Sequence, residues 1–235
     1  MIIEQPAKWL RWMYPKATWR MDPSERSIYL TFDDGPIPES TPFLLETLDR
    51  YGVKATFFVV GENVEKHPDL FRQIVERGHQ IGNHTYHHFS SFKHWTATYL
   101  IDTYECQLRI KGKEISDGIS IPTSSEDEVR GQKASPSWGR LEGALPLFRP
   151  PHGWMRHSIY YWLSKRYRIV MWDLVTRDYS KWLTADDVFN NIRRYARNGS
   201  IVTFHDSLKS IDKLRTALPR SIEWLQAEGY EFKTI

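Results

Sequence analysis

Hydrophobic positions in this chain fall into short runs separated by stretches of helical period, and the alternation repeats from Ile28 to Ile235. The run Ile28 to Asp33 reads as a strand, and Glu39 to Tyr51 reads as a helix closed by Gly52. Ala55 to Val60 forms a second strand, Asn63 to Arg77 a helix stopped by Gly78, and Gln80 to Asn83 a third strand. After a helical stretch over Trp95 to Gln107 come strands at Leu147 to Arg149, Arg168 to Trp172, Ile201 to His205 and Glu231 to Ile235. Helices over His157 to Tyr167, Ala185 to Arg197 and Lys209 to Glu228 lie between them. Seven strands with helices between them predict an α/β fold with a parallel sheet. The lack of a glycine-rich phosphate loop favours a closed (β/α) barrel over a nucleotide-binding sheet. In such barrels the reactive side chains collect at the C-terminal ends of the strands.

Two stretches fall outside this rhythm. Residues 1–27 mix Lys8, Arg11, Lys16 and Arg20 with Trp9, Leu10, Trp12 and Tyr14, and are expected to pack across the bottom of the barrel; lying on a membrane surface is the alternative. Between Ile110 and Pro146 the chain loses its period, which predicts an irregular insertion at 110–146, either a plain surface excursion or a lid. The remainder, 28–235, is expected to form a single domain, since 235 residues at 40% hydrophobic content suffice for one large core. The net charge of +3 is scattered without a basic block, which argues against a nucleic-acid partner. One cysteine, Cys106, cannot form an internal disulfide. The opening has no continuous apolar stretch and no transmembrane segment is expected, so the anticipated location is cytoplasmic.

Chemistry gathers where the predicted strands end. Strand one runs into Asp33-Asp34-Gly35-Pro36, and a Gly-Pro turn can re-aim the second of two adjacent carboxylates so that both face one site. One carboxylate bound to a cation and the other free to move a proton is a workable division of labour. Strand three ends in His84-Thr85-Tyr86-His87-His88, where the four-residue spacing sets His84 and His88 on one side of a turn. With Asp34 they make a two-histidine, one-carboxylate set suited to a divalent metal, zinc above all with cobalt or nickel as alternatives, and leave coordination positions open for catalysis. His87 is expected outside this ligand set. Arg149, in Phe148-Arg149-Pro150-Pro151-His152-Gly153, can lower the pKa of a neighbouring carboxylate, and the paired prolines hold a loop whose backbone amide can serve an oxyanion. His205 can act as a general acid if Asp178 holds its ring. Asp206 reads as an N-cap for the helix that follows it.

Taken in order, TFDDGP, HTYHH, FRPPHG, the Trp172 to Tyr179 string and TFHD resemble the NodB-homology polysaccharide deacetylases, carbohydrate esterase family four, over Ile28 to His205. The resemblance implies a distorted seven-stranded β/α barrel, a bound divalent metal and removal of acetyl groups from N-acetylglucosamine-containing glycans. It implies Asp33 as catalytic base, Asp34, His84 and His88 as metal ligands, and His205 as acid, with Arg149 tuning Asp33 and Asp178 orienting His205. His152 stands where the family usually has tyrosine, Tyr179 where it usually has tryptophan, and Val175 where an acidic residue is frequent. These departures alter the walls around the substrate and spare the metal triad. Two rival readings use the same fold: metal-assisted hydrolysis of another non-peptide C–N bond, and a catalytically silent carbohydrate-binding protein.

Overall fold

The computed structural model describes residues 4–112 and 145–235. Its strands are β1 (Ser27–Asp33), β2 (Thr56–Val59), β3 (Gln80–Asn83), β4 (Leu147–Phe148), β5 (Arg168–Ile169), β6 (Leu174–Val175), β7 (Ser200–His205) and β8 (Glu231–Phe232). The helices are α1 (Lys8–Met13), α2 (Thr41–Arg50), α3 (Gly61–Lys66), α4 (Pro68–Glu76), α5 (Thr96–Ile110), α6 (His157–Leu163), α7 (Ala185–Tyr195) and α8 (Ile211–Ala227). Strands pair in parallel in the order β5-β4-β3-β2-β1-β7-β6. This is the distorted seven-stranded parallel barrel. The helix expected over Asn63 to Arg77 is two helices, because Pro68 lacks the N–H that would continue α3 and instead opens α4 at its first position. The insertion expected at 110–146 falls almost wholly on residues 113–144, outside the described residues.

Two details of the strand reading need correction. Leu174–Val175 forms the seventh member of the barrel path, although two residues are too few to show a period. The last strand lies off that path and pairs only with the start of β1, Ser27 and Ile28. Only four residues separate β5 from β6, too few for the usual helix, so the helical ring has a gap there. N-terminal chain fills the gap: Thr18 bridges Val170 and Arg20 bridges Ser200. Behind this seam Leu10, Tyr14 and Trp19 are buried with Tyr160, Leu163 and Met171.

Strand alternation decides which residues reach the barrel interior. Ile28, Leu30 and Phe32 of β1, Phe57 and Val59 of β2, and Val202 and Phe204 of β7 pack outward with Leu44, Leu48, Leu214 and Leu218 from the helices. Tyr29, Phe58 and Ile201 take the opposite face and meet Leu147 and Val170 inside. The same period puts Thr31 and Asp33 of β1, and Thr203 and His205 of β7, on the interior side at the C-terminal end.

Candidate active site

Asp33 and His205 are the last residues of two adjacent strands and lie opposite one another in register. Asp33 is buried, and its Oδ1 accepts a hydrogen bond from Arg149 Nη1 at 2.7 Å. Arg149 is itself buried inside the barrel and fully committed: Nη1 also donates to Thr31 Oγ1 at 2.7 Å, Nη2 to the Met171 carbonyl at 2.8 Å, and the guanidinium stacks 4.1 Å over the Phe58 ring. A buried cation so placed fixes the Asp33 carboxylate in position.

Asp34 leaves the strand at φ +84°, and this left-handed backbone swings its side chain away from Asp33 and toward the β3 loop. There His88 Nε2 stands 3.3 Å and His84 Nε2 3.6 Å from Asp34 Oδ1. One ligand atom from each of the three lies within 4.8 Å of the others. Oδ1 is buried and has no hydrogen-bond partner, as expected of an oxygen reserved for a cation. Burial opposes the Asp34 charge, yet the His88 imidazole and the charges of His205, His84 and His88 outweigh it and hold the carboxyl well below the usual range. His84 Nδ1–H donates to the Arg149 carbonyl at 2.8 Å, which leaves the Nε2 lone pair facing Asp34. Burial, opposed by the Asp33 charge, drives the His84 pKa down to about 4, so the ring is neutral at pH 7 as ligation requires. The three residues therefore fit a divalent ion, and imidazole donors favour a borderline metal of the zinc kind over calcium or magnesium.

His205 is gripped twice by the fully buried Asp178, through its Nδ1 at 2.8 Å and its backbone N–H at 2.7 Å. Burial lowers the pKa of the ring, but the Asp178 charge and hydrogen bond, helped by Asp34 and Asp33, raise it to about 9. The ring is therefore protonated near neutrality, with Nε2–H available. Tyr179 packs edge-on against His205 with centroids 4.6 Å apart, and His152 meets His88 at 4.9 Å. All nine site residues named from the sequence thus converge at one end of the barrel.

Several supports escaped the sequence reading. Asp102 of α5 is buried, and its carboxylate accepts from the Tyr86 and His87 backbone amides at 3.0 and 3.2 Å and from His87 Nδ1 at 2.5 Å. It clamps the loop between His84 and His88, in which Thr85 and His88 have φ of +64° and +56°. His87, whose side chain is 43% exposed, therefore serves Asp102 and lies outside the ligand set. Asp206 does not cap the helix that follows it: its buried carboxylate accepts from Ser40 Oγ and, at 2.6 Å, from Thr41 Oγ1, at the start of α2. A Cβ on Gly35 would stand 2.0 Å from Asp206 Oδ2, so only glycine lets this turn lie against β7. Burial, opposed by the two hydroxyls, raises the Asp206 pKa to about 7. No spacing motif announces either aspartate, because each is joined to its partners only by tertiary packing. Among the described residues, the non-glycine positions with positive φ are Asp34, Thr85, His88, His152 and Arg177, all on loops at this mouth.

The strand ends of this parallel β/α barrel thus carry an Asp-His-His triad that fits a divalent ion, beside an Asp–Arg pair and a His–Asp pair. The polysaccharide deacetylase family model matches residues 20–130. A peptidoglycan-N-acetylglucosamine deacetylase of Bacillus cereus is 33% identical over 221 residues, covering 90% of this chain and 68% of its own. A chitooligosaccharide deacetylase of a Bradyrhizobium species is 31% identical over 220 residues, covering 88% of this chain and 87% of its own. In fold, the crystal structure of a peptidoglycan N-acetylglucosamine deacetylase superposes with a TM-score of 0.72 at 29% identity, covering 98% of this chain and 94% of that one. The chain belongs to the polysaccharide deacetylase family, the NodB-homology group of carbohydrate esterase family four.

Proposed function

We propose that this protein is a divalent-metal-dependent deacetylase that hydrolyses the N-acetyl group of an N-acetylglucosamine-containing glycan. One observation carries the reading: ligand atoms of Asp34, His84 and His88 lie within 4.8 Å of one another, and the Asp34 oxygen among them is buried with no hydrogen-bond partner, at the strand end that also carries Asp33 and His205. Asp34 Oδ1 and the Nε2 atoms of His84 and His88 would hold the ion. When bound, it supplies Lewis-acid polarisation of an acyl oxygen and eases ionisation of water.

The remaining chemistry belongs to the side chains. Asp33, fixed by Arg149, takes a proton from the attacking water as its oxygen bonds to the acetyl carbon. A backbone amide of the rigid Pro150-Pro151-His152 loop offers a donor to the oxyanion that develops. His205 presents Nε2–H to the nitrogen while Asp178 keeps its Nδ1–H occupied, so the C–N bond breaks with the amine taking that proton and acetate departing. Two proton-transfer groups at adjacent strand ends suit hydrolysis better than mere sugar binding, which needs neither. The test is acetate release from a panel of N-acetylated oligosaccharides with zinc, cobalt or nickel, before and after exhaustive chelation. Metal-restored release supports the reading. Turnover that survives chelation, or a preference for a small non-sugar amide, overturns it.

A further inference from the structure

On the outer side of the barrel wall, α1 and α6 carry exposed positions that are aromatic and basic. From Gln5 to Met21 and from Leu145 to Trp172 the chain contains no aspartate or glutamate. The segment that follows α1 packs on α6: Tyr14 meets Tyr160 at 5.1 Å, and Tyr160 Oη accepts from the Lys16 amide at 2.7 Å. The outer sides of the two helices display Trp12 at 82%, Trp9 at 53%, Tyr161 at 53% and Trp162 at 41% exposure. Trp9 continues the patch to Trp154, 5.4 Å away between ring centroids. Lys165 Nζ sits 3.8 Å above the Tyr161 ring, and the positive charge of Lys16 also acts on that phenol.

We infer that this aromatic and basic patch of α1 and α6 is a docking surface for an anionic lipid bilayer. Tryptophan and tyrosine partition into the headgroup zone, lysine heads pair with lipid phosphates, and neither contributing segment brings a carboxylate of its own to repel them. Among the described residues no helix is long and apolar enough to cross a membrane, so the contact lies in the plane of the interface. The inference does not rest on the proposed reaction, although Trp154 adjoins the His152–Gly153 loop.

The test uses the full chain with vesicles of phosphatidylcholine alone or mixed with phosphatidylglycerol, read by co-sedimentation and by quenching of tryptophan emission with brominated lipid. Binding to the mixed vesicles only, reversed by salt, is expected. Trp12→Ala should weaken it by about an order of magnitude, and Lys165→Ala by about fivefold, both with unchanged thermal unfolding and unchanged turnover of a soluble oligosaccharide. Equal pelleting with neutral vesicles, no pelleting with either, or wild-type pelleting by Trp12→Ala overturns the inference. So does a dimer that Trp12→Ala dissociates, or retention on insoluble N-acetylated glycan without vesicle binding, because each would assign the patch to another occupant.

Discussion

Two aspartates at opposite ends of the barrel resolve burial in opposite ways. Asp173, near the start of β7, is fully buried with every lone pair occupied: Oδ1 accepts from Arg11 at 2.8 Å and Arg197 at 2.5 Å, and Oδ2 from Arg197 at 2.9 Å and Ser200 at 2.8 Å. Asp34, at the C-terminal mouth, has a buried oxygen with no hydrogen-bond partner, beside two imidazoles on strained loops. A saturated carboxylate is a structural fastening; an unsaturated one, held in place by others, is kept open for a ligand. The contrast predicts that changes at the mouth cost activity and leave stability, whereas changes at the base do the reverse.

The sharpest break would come at Asp33. Asp33→Asn should lower kcat/KM by about 10² to 10⁴ while elemental analysis shows full metal occupancy; loss of the metal would mean that the two adjacent carboxylates do not divide their roles. At the base, Asp173→Ala should cost about 3 kcal/mol in urea unfolding, because it strands Arg197 and Arg11, although both guanidinium groups are partly hydrated. The surviving folded fraction should turn over normally, and a kcat deficit there would erase the distinction between the two ends. Asp102→Asn should weaken metal affinity about 10- to 100-fold in chelator competition yet restore near-normal turnover at saturating metal, with a shift in the visible spectrum of the cobalt form. Unchanged affinity would reduce the clamp on the His84–His88 loop to ordinary packing. The gentlest test concerns pH. Asp178 is the chief group raising the His205 pKa to about 9, so the acid form is present below that value and activity falls as pH rises through it. Asp178→Asn removes that charge and should move the alkaline limb of kcat to lower pH; a limb that stays in place assigns it to another group.

How much of this was legible in advance follows the range of the interactions. Runs such as Ile28 to Asp33 and Ile201 to His205 declared their strands because burial repeats every second residue over a long enough span, and TFDDGP and HTYHH carried the ligand types at a readable spacing. Leu174–Val175 was too short to show any period. The Asn63 to Arg77 stretch kept one helical pattern across the Pro68 break, so two helices looked like one. Asp102, Asp206 and Asp173 were opaque for a different reason. Asp102 and Asp206 act on residues 15 to 166 positions away, and a carboxylate on a helix or loop looks the same in sequence whether it fastens a metal loop, seats a turn or faces water. Asp206 was accordingly given to the wrong helix.

The seam where Thr18 meets Val170 and Arg20 meets Ser200 sets an order of events for a growing chain. Residues of the N-terminal lead-in must wait for partners made some 150 to 180 positions later, so a long loop has to close before the wall can seal. Until the stretch from Met155 to Trp172 emerges, Tyr14 and Trp19 lack the Tyr160 and Trp172 rings that they rest against. The lead-in is thus made well before the groups it docks on, and the interval during synthesis when it is uncovered is when the chain is most exposed to misassembly.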